Sequence, residues 1–257
     1  MKKSYKITLI VIGVLVIFLL VAGHLAPMIF YSVVIKPKAS QTINISPTFM
    51  SQALKPLDDW EKAEFGDFTF TLPLSKLKSA KSTLDTSMLF FQFNEWHLTV
   101  HSLVLSDIEK TIYAKGKMPS FSEMLTIYCV KPNDLSLFRS PIANYNILSR
   151  LIVKGMLPAL NKIIVFETPD TKSILLESVN PNMVLCSVYF ENPKRNIEVD
   201  LFSKHVLRVE EVLKLIGSIE ISKTPTGADK YYSDLQQFQN KYGISFDVIK
   251  CSKTANQ

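Results

Sequence analysis

Residues 163–202, IIVFETPDTKSILLESVNPNMVLCSVYFENPKRNIEVDLF, decide the fold. Four apolar runs, Ile163 to Glu167, Ser173 to Ser178, Met183 to Phe190 and Asn196 to Phe202, are separated by Pro169-Asp170, Asn180-Pro181-Asn182 and Asn192-Pro193. Pro, Asn and Asp favour turns, so the pattern predicts a meander of four strands. Connections this short demand antiparallel hairpins, because a parallel return needs a longer crossover.

Helical and strand periods alternate on either side. Upstream, Pro119-Ser120-Phe121-Ser122-Glu123 reads as a helix start, with Ser120 as cap and Glu123 closing a capping box. A second helix is expected from Pro141 to Met156, with Ile147, Leu148, Leu151 and Ile152 on one stripe. Further upstream, FGDFTFTLP (65–73) alternates Phe68, Phe70 and Leu72 with polar residues, as a half-buried strand does. A soluble connection with Lys76, Lys78 and Lys81 follows, then strands at Met88 to Phe93 and Leu98 to Leu105, with a bulge near Ser102. Downstream, a helix is expected from Leu207 to Ile216, stopped by Gly217, then a short strand to Ile221. A polar helix from Asp229 to Lys241 and a strand from Ile244 to Ile249 close the chain.

This order predicts an α+β protein: an antiparallel sheet with helices packed on it, preceded by an N-terminal transmembrane helix. The expected layout is a cytoplasmic tip (1–6), a signal anchor (7–27), a stem (28–64) whose Trp60 plugs onto the domain body, a domain (65–222) and a helix-strand extension (223–257). The FGDFTFTLP strand, the central meander and the closing VEEVLKLIGSIEI segment resemble the Mog1/PsbP-like fold over most of 65–222. That resemblance implies a binding or assembly role and transfers no site residues.

The anchor rests on charge. Residues 7–35 contain no Asp, Glu, Lys or Arg. A bilayer core of about 30 Å needs about 20 helical residues, so one crossing fits within 7–27. Gly23, His24 and Pro27 mark its outer end, with His24 read as an interfacial residue. A cleaved signal peptide ending near Val21-Ala22-Gly23 is the alternative, disfavoured because the apolar run continues past that point. Three lysines precede the run and two follow it, a bias toward an inside N-terminus and an outer, periplasmic location for the rest.

Removing the flanking Lys2, Lys3, Lys6, Lys36 and Lys38 from 29 basic residues leaves 24 against 23 acidic ones. The folded part is therefore near neutral, which argues against nucleic acid as a partner. Cys129, Cys186 and Cys251 are too few for a disulfide framework and show no metal spacing, and no cofactor or metal is expected. His97 and His101 sit four apart in a strand, some 13 Å at about 3.3 Å per residue, too far to share one metal. No GxSxG, HExxH, Walker or GxGxxG pattern occurs. Asp107, Glu109, Asp58 and Asp59 read as solvated turn acids.

The expected interaction surface comprises Phe90, Phe91, Trp96 and His97, with Tyr231 and Tyr232 on the polar helix. The function so implied is binding of an envelope protein, in assembly or as an immunity-like protein. The alternative is an anchored hydrolase with His97 or His205 as base.

Overall fold

The computed structural model describes residues 12–15, 21–39, 41–50, 59–83, 88–101, 115–116, 118–168, 171–180, 182–191, 194–205, 209–224, 227–244 and 246–249. The chain divides into two compact units, one of residues 1–46 and 122–160, the other of residues 47–121 and 161–257.

The first unit is helical. Helix α1 (21–30) runs into a wider π turn at Tyr31–Ile35. Helix α2 is Phe121–Cys129 and helix α3 is Pro141–Gly155. Ser140 caps α3 by accepting the Ala143 amide on its hydroxyl, with Pro141 supplying the preset φ of the first turn. Tyr31, Ile43, Val130, Leu135, Ile147, Leu148 and Leu151 form the apolar core of this unit. Among the described residues no helix is long and apolar enough to cross a membrane. Within the expected span, residues 12–15 and 21–27 are helical, while 7–11 and 16–20 lie outside the described residues.

The second unit carries the strands: β1 (Thr48–Met50), β2 (Glu61–Phe65), β3 (Phe68–Leu72), β4 (Leu77–Thr83), β5 (Met88–Phe93), β6 (Trp96–His101), β7 (Leu160–Glu167), β8 (Thr171–Ser178), β9 (Met183–Phe190) and β10 (Arg195–Ser203). Then come α4 (Val209–Gly217), β11 (Glu220–Ile221), α5 (Gly227–Tyr242) and β12 (Phe246–Ile249). The described strands form a nine-stranded sheet in the order β1-β7-β8-β9-β10-β6-β5-β4-β12 and a three-stranded one, β11-β3-β2.

The meander β7 to β10 is present, with β8–β9 and β9–β10 antiparallel as expected. The all-antiparallel expectation is corrected at both edges: β1 pairs parallel with β7, and β12 parallel with β4. Each parallel pair joins segments far apart in the chain, which no local turn signal announces. The connection after residue 73 also contains a strand. In β4 the buried residues Ala80 and Ser82 are small, so the apolar alternation that marks a strand is absent there. The bulge near Ser102, the turn acids Asp58, Asp107 and Glu109, and Cys251 lie outside the described residues.

The core between the two sheets is aromatic. Phe65 of β2 meets Phe91 of β5 at 5.5 Å and Phe238 of α5 at 5.2 Å, and Phe68 of β3 meets Phe190 of β9 at 5.8 Å. Each fully buried Phe contributes about 1.5–3 kcal/mol by leaving water. Helix α4 adds Val212, Leu213, Leu215 and Ile216, and α5 adds Tyr231, Leu235 and Phe238 to the same cluster. The segment beyond residue 222 thus shares the core of the strands before it.

Candidate binding cleft

Strands β5 and β6 are joined by Asn94-Glu95, and this hairpin tip shapes a hollow of the second unit. Phe93 closes β5 facing inward, and Trp96 opens β6 half-buried. Their rings stack at 4.1 Å and 16°, a close parallel contact that makes a rigid apolar wall. Trp60, just before β2, packs on the same core and lines the same cleft. Leu201 of β10 and Val212 and Leu215 of α4 are apolar lining residues, and the volume is about 480 Å³. That lies within the range of small-ligand and peptide pockets, roughly 300–1,000 Å³.

The hairpin tip is fixed by backbone bonds. The Glu95 carbonyl accepts from the Lys204 amide at 2.8 Å and from the Ser203 hydroxyl at 3.3 Å. These bonds leave the Glu95 carboxylate free to face solvent beside His205, with Nε2 3.9 Å from Oε1 and both side chains exposed. That separation exceeds the 2.6–3.2 Å reach of a working acid/base hydrogen bond. Glu211 adds a second carboxylate to the rim, whereas Lys76 is engaged by Asp59 at 3.1 Å. The cleft is thus an aromatic slot with an acidic rim, suited to an apolar group next to a positive charge.

A second, shallower hollow of about 330 Å³ lies on the sheet face of β4, β5 and β6 and includes Phe90 and His97. The His97 ring is stacked on Phe202 at 5.0 Å and 15°. Four residues along β6, His101 Nε2 lies 3.0 Å from Asp200 Oδ2, across the β6–β10 pair. The Asp200 hydrogen bond raises the His101 pKa above its usual value, against the opposing effect of partial burial.

The expected interaction surface is therefore divided. Phe90 and His97 share the sheet-face hollow, and Trp96 lies in the cleft. Phe91 and Tyr231 are core residues, the Tyr231 hydroxyl lying 3.0 Å from the Ser82 hydroxyl. Tyr232 is exposed on α5, its ring edge-on to Tyr231 at 6.0 Å. Strand alternation explains the split: consecutive Phe90 and Phe91 must face opposite sides of β5. The joining of Trp60, Glu211 and Trp96, and the His101–Asp200 pair, were missed in the sequence. Both depend on which strands and helices become neighbours, and no local pattern signals that.

Among the described residues no three His, Cys, Asp or Glu side chains are grouped as metal ligands would be. Comparison of the chain with protein-family models, with curated proteins and with solved structures finds no match in any of the three.

Proposed function

We propose that the chain is a single-pass, membrane-anchored binding protein that takes a segment of another envelope protein into the Trp60–Trp96 cleft. In this reading residues 7–27 cross the inner membrane with the N-terminus inside, and the strand-rich unit works outside the cytosol. The uncharged run of residues 7–35 supports the anchor. The observation that carries the binding role is the stacked Phe93–Trp96 wall beneath an acidic rim. Aromatic slots that a partner desolvates on docking anchor it, and the carboxylates of Glu95 and Glu211 select for a neighbouring Lys or Arg.

The chain has two tryptophans, and both line the cleft, so intrinsic emission reports on its occupancy. The test is titration of the full chain, held in lipid nanodiscs, with peptides carrying Phe or Leu beside Lys. A saturable emission change, weakened at least about tenfold by Glu95→Gln with Glu211→Gln, is expected from loss of two rim charges. Binding indifferent to those changes and to Trp60→Phe would exclude the cleft.

The hydrolase reading has one observation in its favour, the His205–Glu95 pair on the rim. It predicts turnover of ester or amide probes that His205→Ala abolishes, and absence of such turnover removes it.

A further inference from the structure

In the first unit, the turn before α3 is apolar at its tip. The Arg139 amide donates to the Ser136 carbonyl at 3.2 Å, closing a turn whose two central residues are Leu137 and Phe138. Such positions normally hold Gly, Pro, Asn, Asp or Ser. The turn is braced from α3: the Asn144 side chain donates to the Ser136 carbonyl at 2.8 Å and accepts the Ser136 amide at 3.2 Å. Phe138 is fully exposed at 101%, Leu137 at 53%, and Ile142 in the first turn of α3 at 74%. Burying none of these residues, a rigid turn holds them in solvent, at a cost only an apolar environment removes.

The packing within this unit fixes where that tip lies along the N-terminal helix. A methyl group built on Gly23 would lie 3.5 Å from the Pro141 ring, and one built on Gly155 would lie 3.3 Å from Ala39 Cβ. Residue 141 is therefore level with 23, and 155 with 39, so α3 runs alongside the α1 segment in the same direction. On the anchor reading, a helix over 7–25 would span about 28 Å at 1.5 Å per residue, a full hydrocarbon thickness, and Gly23 would lie about 3–6 Å inside an exit at 25–27. Val21, Leu25, Ile29 and Phe30 are exposed on the same stretch.

We infer that the Leu137-Phe138 turn, with Ile142, inserts into the outer-leaflet interface of the bilayer beside the anchor helix, with Arg139 at headgroup level. The inference rests on the anchor reading above. Turn and anchor expose apolar surface at one level, as an interfacial element does, and Arg139 is the cation such an element sets against anionic headgroups. Met156, exposed at the opposite end of α3, lies outside the bilayer on the same ruler.

The test is fluorescence quenching of the full chain in phosphatidylethanolamine/phosphatidylglycerol vesicles with brominated acyl chains. Single Trp substitutions are made in turn, and the wild-type emission is subtracted. Phe138→Trp is expected to lose roughly half of its added emission, Ile142→Trp less, and Met156→Trp none, following a depth of 5–10 Å for interfacial insertion. Leu15→Trp, in the helix itself, reports on the anchor. Leu15→Trp quenched with Phe138→Trp unquenched overturns the turn's lipid assignment, leaves the anchor standing, and points to a protein covering the turn. Leu15→Trp unquenched overturns anchor and turn together. Equal quenching of Phe138→Trp and Met156→Trp overturns the depth order and the proposal with it.

Discussion

The Arg195 guanidinium donates to the Asp67 carboxylate across 3.0 Å, with the two side chains only 6% and 11% exposed, and the same guanidinium lies 4.5 Å from the centre of the Phe68 ring. This pair ties the β2–β3 turn to the first residue of β10, and so the small sheet to the large one. A buried pair of this kind gains little over an apolar replacement, but removing one partner strands the other charge. Asp67→Ala is therefore expected to lower stability by about 3–5 kcal/mol. Denaturant unfolding followed by Trp60 and Trp96 emission measures it, and a loss below about 1 kcal/mol, the size of an exposed pair, would refute the account.

The neighbouring Gly66 holds φ at +62°, and a methyl group there would lie 3.3 Å from Tyr231 Cβ. Gly243 has φ +64° with nothing within 4 Å of the same position. Left-handed backbone costs a non-glycine residue about 1–2 kcal/mol. Gly243→Ala is expected to show that strain alone, whereas Gly66→Ala adds the clash with α5. Equal losses in the two variants, read by the same unfolding curves, would remove the contact from the explanation.

The meander, the two sheet-flanking helices and α3 were legible because each has its own period and its own stop signal. Phe68, Phe70 and Leu72 alternate as a strand must, and Ser140-Pro141 marks a helix start that the structure keeps. Pairing was not legible. Strand β1 joins β7, and β12 joins β4, through contacts across long stretches of chain, and β4 hides behind Ala80 and Ser82. The cleft shares this limit: Trp96 was placed on the expected interaction surface, but Trp60 and Glu211 reach it only through tertiary packing.

The His101–Asp200 pair sets a pH dependence with a definite sign. Hydrogen bonding to Asp200 raises the folded His101 pKa, and Glu198 on the adjacent strand acts in the same direction. The stabilisation is present in full below the unfolded value of about 6.5 and fades as pH rises through the higher folded value. His101→Gln is expected to destabilise the protein more at a pH of about 5.5 than at about 9. A stability difference independent of pH would show that the pair does not titrate in this way.

The two described thiols differ in reactivity. Burial pushes the Cys186 thiol well above its ordinary range, whereas Cys129 is exposed on α2. Since the thiolate is the reacting form, a Cys251→Ser background should label once when folded, at Cys129, and at Cys186 only after unfolding. In intact cells with a permeabilised outer membrane, a maleimide that cannot cross the inner membrane should reach Cys129. Labelling only after lysis would place this unit inside and reverse the proposed topology.

Lys154 supplies the last test, in the helical unit. Its side chain is completely buried, and its Nζ donates to the Ile45 carbonyl at 2.7 Å and the Val130 carbonyl at 2.9 Å. These bonds join the chain leaving the N-terminal helix to the end of α2. Burial lowers the ammonium pKa to about 8. Between that value and the ordinary 10.5 the unfolded chain binds more protons than the folded one, so stability should rise with pH across this window. Lys154→Met keeps the buried stem but leaves two carbonyls without donors, at about 1–3 kcal/mol for each group stranded. The loss is partly offset because no ammonium is desolvated. Hydrogen exchange of the amides of α3 is expected to quicken in the variant near neutral pH and to lose the alkaline gain in protection of the parent, after correction for intrinsic exchange. Unchanged protection at both pH values would mean that Lys154 does not hold this unit together.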